Sequence, residues 1–308
     1  MTKIKLGLGG VGKIARDQHL PVLAASSTFE LVAVASRNAT VPGIPCYRDM
    51  SEMLSSHPEI EAVTLCTPPG PRELDARIAL GRGVHVLLEK PPAASLGAAL
   101  ELAAFSGRAV VSMSWHSRHA PAVESAREWL RGRDVREVMI DWREDIRVWH
   151  PGQDWILDAG GMGVFDPGIN ALSILTDLLP EPMVLESSQL GVPEGRQAPL
   201  KAELVLRTQR DVPIRASFDF LQTGAQTWTI RFVARDSEFT LTNGGAGFRT
   251  NGIDQSVRSS RHHEYEGVYK RFANCIRSGT SDCDLRPLQI VADAFMLGRH
   301  EALPAFTF

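Results

Sequence analysis

The chain has 308 residues, of which 44% are hydrophobic and 22% charged, with a formal net charge of −3. That composition suits a globular protein with material for about two domains. It lacks the Lys and Arg runs that a nucleic-acid or membrane-surface partner would call for. No stretch approaches the roughly 20 apolar residues of a spanning helix, and no secretory signal pattern opens the chain. The four cysteines, Cys46, Cys66, Cys275 and Cys283, form no C-x-x-C pair, so a reduced, cytoplasmic protein is expected.

Ile4, Leu6 and Leu8 alternate as a short strand that runs into Gly7-Leu8-Gly9-Gly10-Val11-Gly12. This matches G-x-G-x-x-G between a strand and a helix. In a dinucleotide fold the first glycine makes the tight turn and the second admits the pyrophosphate. The third allows close helix packing. Gly9, Gly10, Val11, Gly12, Lys13 and Ile14 are therefore the candidates for the phosphate end of a cofactor. The helix is expected from Val11 to about Gln18, ended or kinked by Pro21, with His19 as a local hydrogen-bonding residue and no catalytic group.

Phe29–Ala35 reads as the second strand, about twenty residues after the glycines. It ends in Ser36-Arg37-Asn38, with no acid to hold a ribose 2′-hydroxyl. A hydroxyl beside a guanidinium suits the 2′-phosphate of NADP, and without a repelling carboxylate NAD can also bind. The alternative is an exposed loop arginine. Ala62–Cys66 is a third strand, closed by Thr67-Pro68-Pro69-Gly70-Pro71, a rigid loop that can wall the nicotinamide ribose. Glu73–Leu80 is helical. Val84–Leu88 is an apolar strand buried on both faces, and it stops at Glu89-Lys90-Pro91-Pro92 because proline cannot donate to a ladder. Lys90 then stands at the carboxyl edge of a parallel sheet, where open α/β folds bind ligands. The alternatives there are a solvated lysine at a strand end and a catalytic one held by a cis bond to Pro91. A helix over Ser95–Phe105 and a strand over Ala109–Ser114 complete a doubly wound Rossmann half.

Trp115-His116-Ser117-Arg118-His119 follows. Two histidines three apart without Cys or acid partners read as pocket lining, and no metal site is expected. After a helix over Ala122–Leu130 the pattern changes. Val138, Ile140, Trp142 and Glu144 fall on one face of a strand, and Asp141, Arg143 and Asp145 on the other, as in a sheet with one open face. Strands around Met183–Val192, Lys201–Leu206, Ile214–Phe220, Thr227–Val233 and Glu238–Leu241 extend it. The expected architecture is an α/β Rossmann domain over residues 1–118. An α+β domain with a large, mainly antiparallel open-faced sheet follows over 119–308. Between the strand carrying Val138–Glu144 and the one around Met183–Val192, Gly160-Gly161-Met162-Gly163 is a tight loop and Pro167 suits a first helical turn. Asp166 and Asn170, four apart, share a helix face. Asp166 is either an N-cap alone or a cap with a function.

These motifs together resemble the glucose-fructose oxidoreductase/inositol dehydrogenase/MocA dehydrogenases over essentially the whole chain. The resemblance rests on Gly7–Gly12, Thr67-Pro68-Pro69, Glu89-Lys90-Pro91 and Gly160-Gly161-x-Gly163-x-x-Asp166-x-x-x-Asn170. Gly12–Pro21, Trp115-His116-Ser117 and Trp149-His150-Pro151-Gly152-Gln153 are similar to the bacterial aldose 1-dehydrogenases acting on L-arabinose and D-galactose. The resemblance implies oxidation of an aldopyranose at C1 to the lactone, with hydride passing to NADP or NAD. It assigns Asp166 as general base, Lys90 to O1 and Asn170 to orienting the sugar. Many members carry His where Asn170 stands, so proton transfer must rest on Asp166, Lys90 or both. His116, Glu144, Trp149 and Trp228 would line the sugar pocket, with core packing the alternative for each tryptophan. Ser36, Arg37, Thr67, Pro68, Glu89 and Lys90 join the glycine loop in holding cofactor. Other implied possibilities are an inositol or dihydrodiol dehydrogenase, or a non-catalytic sugar or cofactor sensor. A homodimer or homotetramer through the open sheet is expected.

Overall fold

The computed structural model describes residues 2–255, 257 and 259–308. The chain divides into two compact units, residues 1–116 with 261–285, and residues 117–260 with 286–308. The expected division, 1–118 and 119–308, did not include the return of residues 261–285 to the first unit.

That first unit is a six-stranded, all-parallel sheet. Its strands are β1 (Ile4–Gly9), β2 (Phe29–Ala35), β3 (Cys46–Tyr47), β4 (Ala62–Leu65), β5 (His85–Leu88) and β6 (Val111–Met113), in the order β3-β2-β1-β4-β5-β6. The order reverses between β1 and β4, which is where such folds bind nucleotides. β4 is buried throughout, and so are Val86, Leu87 and Leu88 of β5, as strands covered on both faces must be. The returning helix His263–Ser278 packs Tyr265, Val268, Tyr269 and Phe272 into the same core as Leu6, Leu8 and Phe29. Phe272 stacks on Phe29 at 5.8 Å, and burying each ring contributes about 2–3 kcal/mol. Residues 281–284 run beside β6, where Met113 and Asp282 exchange main-chain bonds with their neighbours.

Pro21 does not end the first helix. A wide π-type turn over Ala15–His19 leads directly into the helix Leu20–Ala24, with Pro21 in its first turn. There the missing N–H costs little, because the wide turn has already displaced the regular bonding. Pro69, Gly70 and Pro71 are likewise in the first turn of the helix Pro69–Gly81 rather than in a long rigid loop, so only Thr67 and Pro68 lie ahead of it.

The second unit is built on a nine-stranded sheet. Its strands are β7 (Val135–Arg143), β8 (Met183–Pro193), β9 (Lys201–Thr208), β10 (Pro213–Asp219), β11 (Thr227–Ala234), β12 (Glu238–Thr242), β13 (Gly247–Thr250), β14 (Ile253–Gln255) and β15 (Gly298–Leu303). The order is β14-β13-β12-β11-β7-β10-β9-β8-β15. Six neighbour pairs are antiparallel, while β7–β10 and β8–β15 are parallel. The expected alternation is present. Val138, Ile140 and Trp142 are buried with Ala202, Leu204, Leu206, Ile214, Ala216 and Phe218. The central helix Phe165–Leu178 packs there closely enough that a Cβ on Gly168 would stand 2.9 Å from the Phe218 ring. The opposite face carries cross-strand pairs such as Arg215–Glu137 and Lys201–Asp219. Asp145 departs from the pattern. It is buried, caps the turn Ile146–Trp149 through Arg147 N–H and donates its own N–H to Gln226. No helix among the described residues is long and apolar enough to cross a membrane.

Candidate active site

In the first unit the glycine loop leaves β1 at the sheet's reversal point. The glycines divide the work differently from the motif's usual assignment. Gly7 and Gly9 lie within β1 against Met53 and Leu65. Gly10 makes the turn with φ +86°, and its backbone is close enough to the β4 loop that a Cβ would stand 2.7 Å from Thr67 N. Gly12 faces open space, with nothing within 4 Å of where its Cβ would be. The helical run begins just beyond it at Lys13. Small backbone, open space and a helix amino end together fit a dinucleotide pyrophosphate. Lys13 points outward and pairs with Asp17, and Ile14 is exposed. At the end of β2, Ser36 N–H is tied to Tyr47 O and Arg37 is exposed. Asp75 faces this corner. Burial pushes its carboxyl up, while the Thr67 hydroxyl at 3.5 Å and the Arg37 charge pull the other way.

At the end of β5 the chain passes from the buried Leu88 and Glu89 to the half-buried Lys90. The Lys90–Pro91 bond is cis. Arg72, itself buried, donates to the carbonyls of Thr67, Glu89 and Pro91. The Glu89 side chain is directed into the protein with 3% exposure. Its Oε1 receives His19 Nε2, Ser114 Oγ and Tyr265 Oη, each at 3.0 Å, and its Oε2 receives Lys90 N–H at 3.0 Å. Burial alone would push this carboxyl up. The His19 bond, with the charges of His19, His116 and Arg72, brings it down to about 2. The same burial and the Glu89 charge push the Tyr265 phenol well up, so it stays a donor. His19 continues the network through Nδ1 to Tyr269 Oη at 2.9 Å. His116 holds Glu264 through Nδ1 at 2.5 Å and stacks on Tyr265 at 5.3 Å.

The second unit carries its own group of expected residues. In the helix Phe165–Leu178 every residue is buried except Asp166, Asn170 and Asp177. Asp166 and Asn170 share one face near the amino end, where the helix dipole favours an anion. Asp166 is not the N-cap. The helix begins one residue earlier and Val164 holds the cap position without a side-chain bond. His150 Nε2 lies 3.3 Å from Asp166 Oδ2, and the His150 ring meets Phe220 edge-on at 5.6 Å. Glu144, buried at the end of β7, accepts Trp228 Nε1–H at 2.9 Å. Trp149, half exposed, meets Trp228 in a T-shaped contact at 5.6 Å.

The expected residues thus fall into two groups. The loop Gly9–Ile14, Ser36, Arg37, Thr67, Pro68, Lys90 and His116 belong to the first unit. Glu144, Trp149, Trp228, Asp166 and Asn170 belong to the second. Glu89 is set apart by burial, with both carboxylate oxygens engaged inside the protein. Sequence reasoning missed His150 as the partner of Asp166, and also Arg72 and Tyr265 around Glu89. The hydrogen bonding expected of His19 is not local but reaches Glu89 and Tyr269, 70 and 250 residues away. Only the adjacency of His150 to Trp149 could have flagged the first, and no local signal marks the others.

The family model described as an oxidoreductase family with an NAD-binding Rossmann fold (GFO/IDH/MocA) matches residues 4–113. A galactose 1-dehydrogenase of Pseudomonas fluorescens is 43% identical over 307 residues, covering 99% of both chains. The crystal structure of a D-galactose-1-dehydrogenase from Rhizobium etli superposes with a TM-score of 0.95 at 46% identity, covering 100% of this chain and 99% of that one. A 3-ketoreductase from Actinomadura kijaniata in complex with NADP and TDP-benzene shares the fold at a TM-score of 0.85 and 19% identity, covering 98% and 100%.

Proposed function

The chain belongs to the GFO/IDH/MocA family of oxidoreductases, and we propose that within it the protein oxidises an aldopyranose of the D-galactose, D-fucose or L-arabinose type at C1 to the lactone. The observation that carries this reading is Asp166, a half-buried carboxylate that shares a helix face with Asn170 and has His150 beside it. Asp166 takes the proton of the C1 hydroxyl as general base, and Asn170 orients the ring. Lys90 donates to O1 and stabilises the negative charge that develops as the proton leaves. The nicotinamide, when bound, accepts the hydride from C1. Glu144 accepts sugar hydroxyls, Trp149 and Trp228 offer apolar faces to the ring, and His116 adds a polar contact. The full-length likeness to two galactose 1-dehydrogenases supports this substrate class.

The cofactor is NADP or NAD, held by Gly9–Ile14, Thr67 and Pro68. The absence of an acid after β2, with Ser36 and Arg37 in its place, supports a preference for NADP. The uncovered face of the nine-stranded sheet supports a homodimer or homotetramer, which size-exclusion chromatography with light scattering would measure.

The direct test is incubation with a panel of aldoses and either NADP⁺ or NAD⁺, following absorbance of the reduced cofactor. Turnover of D-galactose or L-arabinose is expected. Tight cofactor binding without turnover of any aldose would refute the proposal. Asp166→Ala and Lys90→Ala are each expected to lower kcat by more than about a hundredfold, and a near-normal rate would remove that residue from the mechanism.

A further inference from the structure

Glu89 stands next to Lys90, and both of its oxygens accept hydrogen bonds from groups of the protein itself. An ionised carboxylate can only accept, so His19 must present Nε2–H to it, as Ser114 and Tyr265 present O–H. The remaining contact, Lys90 N–H to Oε2 at 3.0 Å, ties the buried anion to the main chain from which the lysine side chain departs. On the other side, the single Arg72 guanidinium holds the carbonyls of Glu89 and Pro91 and joins them to Thr67 O of the neighbouring loop. The peptide group ahead of Lys90 is therefore pinned at its N–H by Glu89 and at its carbonyl by Arg72, and Arg72 also holds the carbonyl of Pro91 on the far side, so two buried, oppositely charged groups fix the main chain around the lysine. A lysine side chain has four rotatable carbons, and its ammonium is delivered to a defined point only if its origin is fixed.

We infer that Glu89 is a positioning residue for Lys90, held in place by His19, Ser114 and Tyr265, and is not a cofactor ligand. The inference rests on the reading of Lys90 as the group that meets O1. Misplacement of a reacting group by about 1 Å costs up to a hundredfold in rate, which sets the scale of the effect.

The test compares Glu89→Gln, Tyr265→Phe, Lys90→Ala and the double variant Glu89→Gln/Lys90→Ala in the full-length protein. It reads kcat at saturating sugar and cofactor, and the Kd for NADP from quenching of tryptophan fluorescence. Glu89→Gln is expected to lower kcat about tenfold to a hundredfold with the NADP Kd changed by no more than about twofold. Tyr265→Phe, which removes one donor, is expected to lower kcat about threefold to tenfold. The double variant is expected to be no slower than Lys90→Ala, because a group acting through the lysine has nothing left to position. A purely structural role would lower the melting temperature without that loss of additivity. A fully active Glu89→Gln beside an inactive Lys90→Ala overturns the proposal alone, while an active Lys90→Ala overturns the reading beneath it. A weakened NADP Kd with kcat restored at saturation returns Glu89 to the cofactor ligands. Should Glu89→Gln fail to fold, Tyr265→Phe with and without Lys90→Ala carries the same comparison. Full activity of Tyr265→Phe, or additive losses, would then overturn the proposal.

Discussion

Alanine at Gly10 and at Gly12 should act in opposite ways, although the two glycines are two residues apart in one loop. At Gly10 the backbone has φ +86°, a conformation that costs a residue with a Cβ about 1–2 kcal/mol. The added carbon would stand 2.7 Å from Thr67 N and 2.9 Å from the Cys66 carbonyl carbon. Both are backbone atoms at the end of β4, so relief means moving a strand end, and such overpacking costs about 1–3 kcal/mol more. Gly10→Ala should therefore lose about 2–5 kcal/mol of stability and melt several degrees earlier. Gly12 has no positive φ and no atom within 4 Å of its ideal Cβ. Gly12→Ala should melt at the same temperature or slightly higher, since alanine at a compatible site adds about 0.4–1 kcal/mol. Its methyl group occupies the space proposed for the pyrophosphate, so the NADP Kd should rise at least about tenfold, roughly 1.4 kcal/mol. Thermal scanning without cofactor and fluorescence titration with NADP⁺ separate the two effects. Unchanged NADP affinity in a folded Gly12→Ala would refute the assignment of that open space to phosphate. Unchanged melting of Gly10→Ala would refute the packing argument.

Three further outcomes are expected. Arg37→Ala should raise the NADP KM about tenfold while leaving the NAD KM within about twofold, because only the 2′-phosphate needs the guanidinium; equal effects on both cofactors would place Arg37 elsewhere. Trp228→Phe keeps an aromatic ring, though a smaller one, and removes the N–H that Glu144 accepts at 2.9 Å. The sugar KM should rise about threefold to tenfold, the cost of leaving a buried acceptor short of a donor, and an unchanged KM would take the pair out of the sugar site. Glu89 should contribute to acid stability. Burial opposes its ionisation, but the His19 bond and neighbouring cations hold the carboxyl near 2 against an ordinary 4.5. Its contribution, up to about 3 kcal/mol, is then fully present above about pH 4.5 and is lost as pH falls toward 2. Melting temperature against pH should fall less steeply in Glu89→Gln than in the wild type over that window, and parallel curves would remove Glu89 from the acid transition.

Much of the fold is legible in local pattern. The strand–glycine–helix start, the apolar run into Glu89-Lys90-Pro91 and the alternation of Val138, Ile140 and Trp142 each follow from periodicity and from proline's missing donor. β13, β14 and β15 are not legible in this way. They are short, and β14 is exposed throughout, so they carry no clear alternation and exist because a neighbouring strand offers a ladder. Pro21 misleads for the opposite reason. Its cost depends on whether the preceding turn still needs its N–H, and the wide turn over Ala15–His19 removes that need.

The chemistry divides along the same line. Sequence alone determined that Lys90 ends a buried parallel strand and that Asp166 and Asn170 share a helix face, because both are matters of spacing within one element. Tertiary structure decided what surrounds them. Glu89 is adjacent to Lys90 in the chain, yet its carboxylate is held by Tyr265, 176 residues away, and by His19, 70 residues away. His150 reaches Asp166 across the loop that joins two elements. A buried carboxylate must be satisfied wherever donors can be found. Those donors come from whichever segments the fold brings together, a choice made by packing the returning helix His263–Ser278 against the nucleotide sheet and not by any local preference of the residues involved.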